Sequence, residues 1–369
     1  MKAIYINRLL FLFYYFFIFL FISCTSTQDD TCEMVVYDHT DIKEQFPLSS
    51  YIDRVESVRL ELPEPYFFGE VATVLFDKSG IYILDSKQDK VFRFDENGTF
   101  LNTIGKCGEG PGEYANMSSC FLGKNSVYID DDSSRKIYEY SFNGDYIATV
   151  SYPFDILYNY AMELPDKNFL CHSADGFWTT THGVWILDRQ GNMRRVLAIP
   201  EKTPYCLASW KTMTLREDGK YQIYDPPVGA FYQFDPVDES IKKVFQHRSS
   251  YKMSGDFVGM TDIKNEDVAM GNWIVNGERF LFSVWGLPNT DKLYYTIYDK
   301  KTKKSETYKS PKIDIPGLLF FNNWKFSNLP NAWVHVTDDQ LMNHFYPDKL
   351  KELQMNERVL IVEKLFLKR

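Results

Sequence analysis

The chain has 369 residues, a net charge of −9 and 17% aromatic residues, among them 25 tyrosines and 29 phenylalanines. Its acidity, with no long basic run, argues against a nucleic-acid partner, whose phosphates it would repel. The length allows one large domain or two or three small ones with a sizeable core, and the aromatic content suits β-strands.

Residues 1–24 read as a targeting segment. Lys2 and Arg8 supply the positive start, and Leu9–Ile22 is an apolar run of 14 residues, short of the roughly 20 that span a bilayer as a helix. The run ends Phe21-Ile22-Ser23-Cys24, which resembles a bacterial lipoprotein signal with Phe21 where leucine is usual. Cys24 is thus the expected lipidation site and a lipid anchor the expected hold on the outer membrane, facing periplasm or cell surface. An ordinary cleaved signal or an N-terminal anchor is the alternative. Thr25–Asp30 then reads as an acidic tether or a surface-export signal, and residues 25–50 as tether and lead-in to a folded region spanning 51–369.

Beyond that point the chain repeats itself. An alternating strand followed by a tight turn appears as VFRFDENG ending at Gly98, IYEYSFNG ending at Gly144 and VWILDRQG ending at Gly191, with looser copies in FYQFDPVDES and YYTIYDKKTKK. The residues after each last apolar position are Asp95, Ser141, Asp188, Asp235 and Asp299, at intervals of 46, 47, 47 and 64. An insertion of about 17 residues in the polar stretch from Arg248 to Asp267 accounts for the long interval. Each period holds four strands: Glu70–Phe76, Gly80–Leu84, Lys90–Phe94 and Thr99–Ile104 in the first, Tyr114–Leu122, Ser126–Ile129, Lys136–Tyr140 and Tyr146–Val150 in the second.

Four short antiparallel strands every ~40–50 residues, with no alternating helices, describe propeller blades. Five units run from Glu70 to Asp314; a sixth uses Leu318–Phe326, Ala332–Val336 and, after a short helix within Pro347–Asn356, Arg358–Leu365. Its fourth strand must come from Val55–Leu62 at the other end of the chain, which closes the ring and removes open sheet edges. The expected fold is all-β, a six-bladed β-propeller of four-stranded antiparallel blades closed by an N-terminal strand.

YILDSKQDKVFRFDENG, the following GKCGEGPGEY, the DxxxxKIYEY-type strand of the second unit and the closing NERVLIVEKLF together resemble the six-bladed β-propeller lipoproteins of Gram-negative gut anaerobes, relatives of the NHL-repeat propellers. Those proteins tend to carry an acidic-Asn-Pro stretch near the end, where this chain has Arg358 in place of the proline. The resemblance implies the fold and is silent on a ligand.

Chemistry is harder to read. The loop holding Gly105, Gly108, Gly110, Pro111 and Gly112 lacks the Lys-Ser/Thr and the following helix of a phosphate cradle, so it reads as an inter-blade crossover needing positive φ, with Glu113 capping it or facing the channel mouth. Asp130, Asp131 and Asp132 could supply oxygens to calcium, but the DxDxDG spacing is absent and Arg135 is near. Six histidines show no zinc spacing, which favours packing or surface roles for His172 and His182. The reading is therefore no metal and no cofactor, with calcium at the three aspartates as the alternative. Five cysteines beyond Cys24 cannot all pair; Cys107 and Cys120 flank the glycine loop and could, while Cys171 reads as a buried thiol.

Loops after second and fourth strands should share one end of the axis, with the hairpin turns at the other. Trp178, Trp210 and Trp285 fall in or beside such loops, and Trp324 begins the matching region of the sixth unit. As ligand contacts the candidates are Trp178, Trp210 and Trp285 as stacking platforms, Arg135 as an anion clamp and Glu113 as an acceptor, although each tryptophan taken alone suits packing between blades better. No catalytic residue can be named. The favoured function is a binding or scaffolding module for a glycan, peptide or envelope protein, without catalysis; the rival is a lyase or metal-dependent hydrolase acting at the axial depression.

Overall fold

Six sheets of consecutive strands make up this computed structural model, which describes residues 32–37, 40–174, 182–199, 213–226, 228–249, 252–253, 268–286, 292–318 and 324–369. Blade 1 is Val71–Asp77, Gly80–Asp85, Lys90–Phe94 and Phe100–Ile104; blade 2 is Ser119–Leu122, Ser126–Asp131, Lys136–Ser141 and Tyr146–Ser151. Blade 3 follows with Tyr160–Glu163, Phe169–Ser173, Gly183–Leu187 and Met193–Ala198, and blade 4 with Met213–Leu215, Tyr221–Asp225, Ala230–Asp235 and Ser240–Ser249. Blade 5 is Val268–Asn276, Phe280–Gly286, Leu293–Asp299 and Lys304–Lys312. The first strands of blades 6, 1, 2, 3 and 4 touch in succession and form the inner wall of the ring.

Blade 6 takes Trp324–Lys325, Ala332–Thr337 and Val359–Leu367 from the chain's end and its outer strand, Ile52–Glu61, from the beginning. Leu60 pairs with Leu360 and Val55 with Leu365, so the ring is a propeller closed by its N-terminal strand as the repeat requires. Two helices, Asp339–Phe345 and Pro347–Glu352, fill the connection between its second and third strands. The second is the expected one. The first has its N-terminus capped by Asp338, whose Oδ1 accepts from Leu341 N at 2.8 Å.

Burial explains why some strands are easy to read. The second strands of blades 1 and 2 are buried at every position, because a neighbouring blade covers each sheet face; they therefore read as nearly unbroken apolar runs. Outer strands such as Tyr146–Ser151 are mostly exposed or half-buried. Aromatic rings fill the seams: Phe121 stacks on Tyr128 at 5.0 Å, and Phe169 of blade 3 meets Tyr128 edge-on at 5.1 Å. Each fully buried large side chain of this kind contributes about 1.5–3 kcal/mol.

The residue that marks the repeat is also the one that shapes its turn. Asp95 Oδ1 accepts from the backbone of Asn97 and Thr99 at 2.9 and 2.8 Å, Asp188 Oδ1 from Gln190 and Asn192, and the Ser141 hydroxyl from Asn143 and Asp145. The glycine that follows is dictated twice over. Gly98, Gly144 and Gly191 have φ of 88°, 91° and 90°. A Cβ there would also stand 2.1, 2.7 and 2.3 Å from a backbone carbonyl in the outer strand of the preceding blade. The turns thus dock blade against blade.

Two short strands were not legible in the lead-in. Glu33–Tyr37 adds a fifth strand beside Ser240–Ser249 of blade 4. Ile42–Pro47 lies parallel to Lys304–Lys312 of blade 5, with Ile42 opposite Thr307 and Phe46 opposite Pro311. The segment IKEQFP buries just Phe46, too little to make an amphipathic signal. Cys107 and Cys120 are both free, the first exposed and the second buried, which corrects the disulfide considered for them. Much of the insertion from Arg248 to Asp267 lies outside the described residues.

Candidate binding face and a buried histidine pair

At the loop end, each of the first two blades is tied together by the aspartate that ends its second strand. Asp85 accepts from the backbone of Gly69 at 2.6 Å and Glu70 at 3.2 Å in the incoming loop, and from Lys87 and Gln88 at 3.1 and 3.0 Å in the outgoing one. Asp131 does the same in blade 2, taking Ala115 N at 3.0 Å, Asn116 N at 3.3 Å, Ser134 N at 3.1 Å and the Ser133 hydroxyl at 2.5 Å. Burial opposes ionisation of Asp131, but the hydrogen bonds from Ser133, Ser134 and Ala115 outweigh it and hold the carboxyl below its ordinary range.

Its neighbours do other things. Asp130 points to the opposite face of the sheet, where the hydroxyls of Tyr152 and Tyr158 donate to its Oδ1 at 3.1 and 3.0 Å, and burial pushes its pKa up to about 7. Asp132 lies within 3.5 Å of Asn116 Nδ2. Asp130 and Asp131 therefore serve separate sets of donors, tyrosine hydroxyls on one side and loop amides on the other.

Glu113 accepts from Lys106 Nζ at 2.5 Å and from Gly110 N at 2.9 Å, closing the crossover loop upon itself. Both bonds lower its pKa, Lys106 first. Gly105 and Gly112 carry positive φ, 72° and 76°, while a Cβ on Gly108 would stand 2.1 Å from the Glu113 carboxylate. Arg135, itself at φ 56°, donates to the carbonyl of Asp132 and lies 5.7 Å over the ring of Phe154.

Trp285 belongs to the second strand of blade 5 rather than to a loop. It is fully buried, stacks on Tyr37 at 5.2 Å and donates from Nε1 to Thr296 Oγ1 at 2.8 Å, so it presents no surface to a ligand. Tyr37 also hydrogen-bonds His247 Nδ1 at 2.5 Å and the Ser283 hydroxyl, fastening the N-terminal strand across blades 4 and 5. Trp324 is buried against Trp333 at 5.1 Å. Cys24, Trp178 and Trp210 lie outside the described residues.

What the sequence did not single out is a set of exposed aromatic rings. Phe154 is 73% exposed, Phe345 56%, Phe67 42% and Tyr346 38%. Phe67 and Phe154 sit in connections from a fourth strand to the next blade, Phe345 and Tyr346 in the connection between second and third strands of blade 6. The antiparallel order of the blades places all four at the loop end. Isolated exposed rings carry no sequence signal until the topology gathers them.

The second missed feature is buried. His172, next to last in the second strand of blade 3, and His182, just before its third strand, both direct Nε2 at Oδ2 of Asp225, at 3.0 and 2.6 Å. All three side chains are at most 1% exposed. Asp225 ends the second strand of blade 4, the position held by Asp85 and Asp131 in blades 1 and 2. Burial disfavours its charge, yet the two imidazoles hold its pKa below the ordinary value. Among the described residues this is the one group of three metal-capable side chains.

Comparison with solved structures finds the same overall fold in other proteins. A Bacteroides fragilis NCTC 9343 protein assigned as exported is 19% identical and aligns with a TM-score of 0.70 over 91% of this chain and all of its own. A member of the DUF4221 family from Bacteroides vulgatus ATCC 8482 aligns at 0.55 and 11% identity, over 86% and 99%. At these identities the likeness shows the fold alone. A virginiamycin B lyase from Staphylococcus aureus reaches 0.44 at 13% identity, over 85% and 100%, which bears on nothing further. No curated protein matches the chain. The family described as Domain of unknown function (DUF4934) matches residues 33–364, from the first added strand to the closing one, and the chain belongs to that family.

Proposed function

We propose that the protein is a lipid-anchored propeller of the cell envelope that binds a glycan, a peptide or a partner protein at its loop end, without catalysis of its own. The observation that carries this reading is the gathering of Phe67, Phe154, Phe345 and Tyr346, exposed, at one end of the ring. Exposed rings on rigid loops are what sugar faces and apolar peptide side chains stack on. The polar groups nearby, Asp85, Asp131, Glu113 and Arg135, are engaged in shaping those loops, which favours a fixed rim over a reactive centre. Trp178 and Trp210 remain proposed contacts on the same rim.

The test is a screen of envelope glycans and peptides against the purified chain, with hits repeated on Phe154→Ala and Tyr346→Ala. Loss of binding in both, with a hydrogen-exchange footprint on the loop end, is the expected result; protection confined to the hairpin turns overturns it. The anchor is tested separately. Labelled fatty acid should enter the wild-type protein and not Cys24→Ser, which should leave the membrane fraction.

A further inference from the structure

We propose that His172, His182 and Asp225 bind one divalent transition-metal ion, of the zinc class, that ties blade 3 to blade 4. This goes beyond the binding role of the rim and does not depend on it. Two imidazole nitrogens from blade 3 and one carboxylate oxygen from blade 4 converge on a single spot, with all three donor atoms within 4.8 Å of one another. Zinc holds nitrogen and carboxylate oxygen at about 2.0–2.2 Å, so its donors stand roughly 3–3.5 Å apart; His172 is already 3.0 Å from Asp225, and His182, at 2.6 Å, would move back by about half an ångström to admit the ion. Two imidazoles and a carboxylate form a borderline donor set that suits zinc and its first-row neighbours and not calcium or magnesium, which take oxygen.

A plain hydrogen-bonded trio accounts for the cluster less well. Asp85 and Asp131, at the same place in the repeat, each collect three or more backbone or hydroxyl donors from the two loops they join. Asp225 accepts Val228 N at 3.2 Å on Oδ1 and gives Oδ2 to the imidazoles. Among the described residues no lysine or arginine pairs with it, so a desolvated carboxylate has the two rings alone to balance its charge. Nδ1 of His172 and Nδ1 of His182 are both buried with no hydrogen-bond partner. A hydrogen-bonded network would leave two ring nitrogens unsatisfied in order to serve one oxygen, a poor exchange. Coordination is strong enough to offset both, and it supplies the missing positive charge. Three protein ligands leave a fourth position for water.

The purified full-length chain, on a tag without histidines, is stripped with EDTA and titrated with Zn²⁺ and with Co²⁺. One Zn²⁺ should bind per chain and raise the melting temperature by several degrees, since a ligand that binds only the folded state stabilises it. Co²⁺ should give ligand-field absorption in the visible. Asp225→Asn and His182→Gln should each weaken Zn²⁺ binding at least tenfold, while His344→Gln, in the helix of blade 6, should bind as wild type. If neither site variant folds, the wild-type stoichiometry and cobalt spectrum decide alone. A stripped wild-type chain that takes up neither metal at tenfold excess overturns the site, as does full Zn²⁺ binding by Asp225→Asn.

Discussion

The two ends of this propeller do the same mechanical job with different chemistry. At the turn end, backbone meets backbone: Gly98, Gly144 and Gly191 bring positive-φ turns against a carbonyl of the preceding blade, leaving no space for even a methyl group. At the loop end, side chains do the tying. Asp85 and Asp131 gather amides from an incoming and an outgoing loop, and the loops themselves are free to differ in length and in what they display. A join made by glycine and carbonyl tolerates almost no variation, whereas one made by a carboxylate can be re-used. Blade 4 does so, exchanging most amides on Asp225 for imidazoles. The end held by side chains is also the end that exposes Phe67, Phe154, Phe345 and Tyr346.

Removing a carboxylate from the loop end should produce the largest effect. Asp131→Ala removes the acceptor of three part-buried backbone amides and of the Ser133 hydroxyl at once, and a loss of about 3 kcal/mol is expected from the urea midpoint. A loss below 1 kcal/mol would mean that the loops hold themselves. The turn end is probed by Gly144→Ala, expected to cost about 2–3 kcal/mol through its φ and its clash with Thr103 O. Gly219 sharpens the contrast. Its φ is 78° but nothing lies within 4 Å of its would-be Cβ, so Gly219→Ala should cost only the backbone strain, about 1 kcal/mol. Equal losses at the two glycines would remove blade docking from the explanation.

Asp130 gives an effect that depends on pH, small per pH unit. Its folded pKa, about 7, lies above the ordinary aspartate value, so between those values the folded state holds a proton that the unfolded state has released. Stability therefore falls as pH rises from about 4 to 7, by about 1.4 kcal/mol for each pH unit at most. Asp130→Asn keeps an Oδ1 for Tyr152 and Tyr158 and should flatten that slope and raise the melting temperature at pH 8. An unchanged slope would show the carboxylate to be ionised and well solvated. The smallest stability effect belongs to Phe154→Ala, within about 0.5 kcal/mol, since a ring 73% exposed loses little packing; its consequence is expected in binding.

How much of this could be read beforehand follows from range. The blade count, the strand order and the closure by Ile52–Glu61 were legible because each depends on a local pattern repeated along the chain: an apolar second strand, then a capped glycine turn. The lead-in strands were not, because Glu33–Tyr37 and Ile42–Pro47 are made by pairing with edges more than 200 residues away in sequence. Glu113 closes the glycine loop through Lys106 and Gly110, partners that lie within seven residues of it. Trp285 was misjudged as a loop residue because strand Phe280–Gly286 runs further than its neighbours.

By itself, then, the sequence determined the propeller, since period, alternation and turn residues act within a few positions of one another and need no distant partner. Only the tertiary structure decided which polar residues share a site. In the run Asp130-Asp131-Asp132 the first two carboxylates serve different partners, because successive side chains of a strand face opposite ways. His172 and Asp225 stand 53 residues apart and meet, because equivalent ends of second strands in adjacent blades come to the same seam. That seam exists only once blades 3 and 4 have packed together.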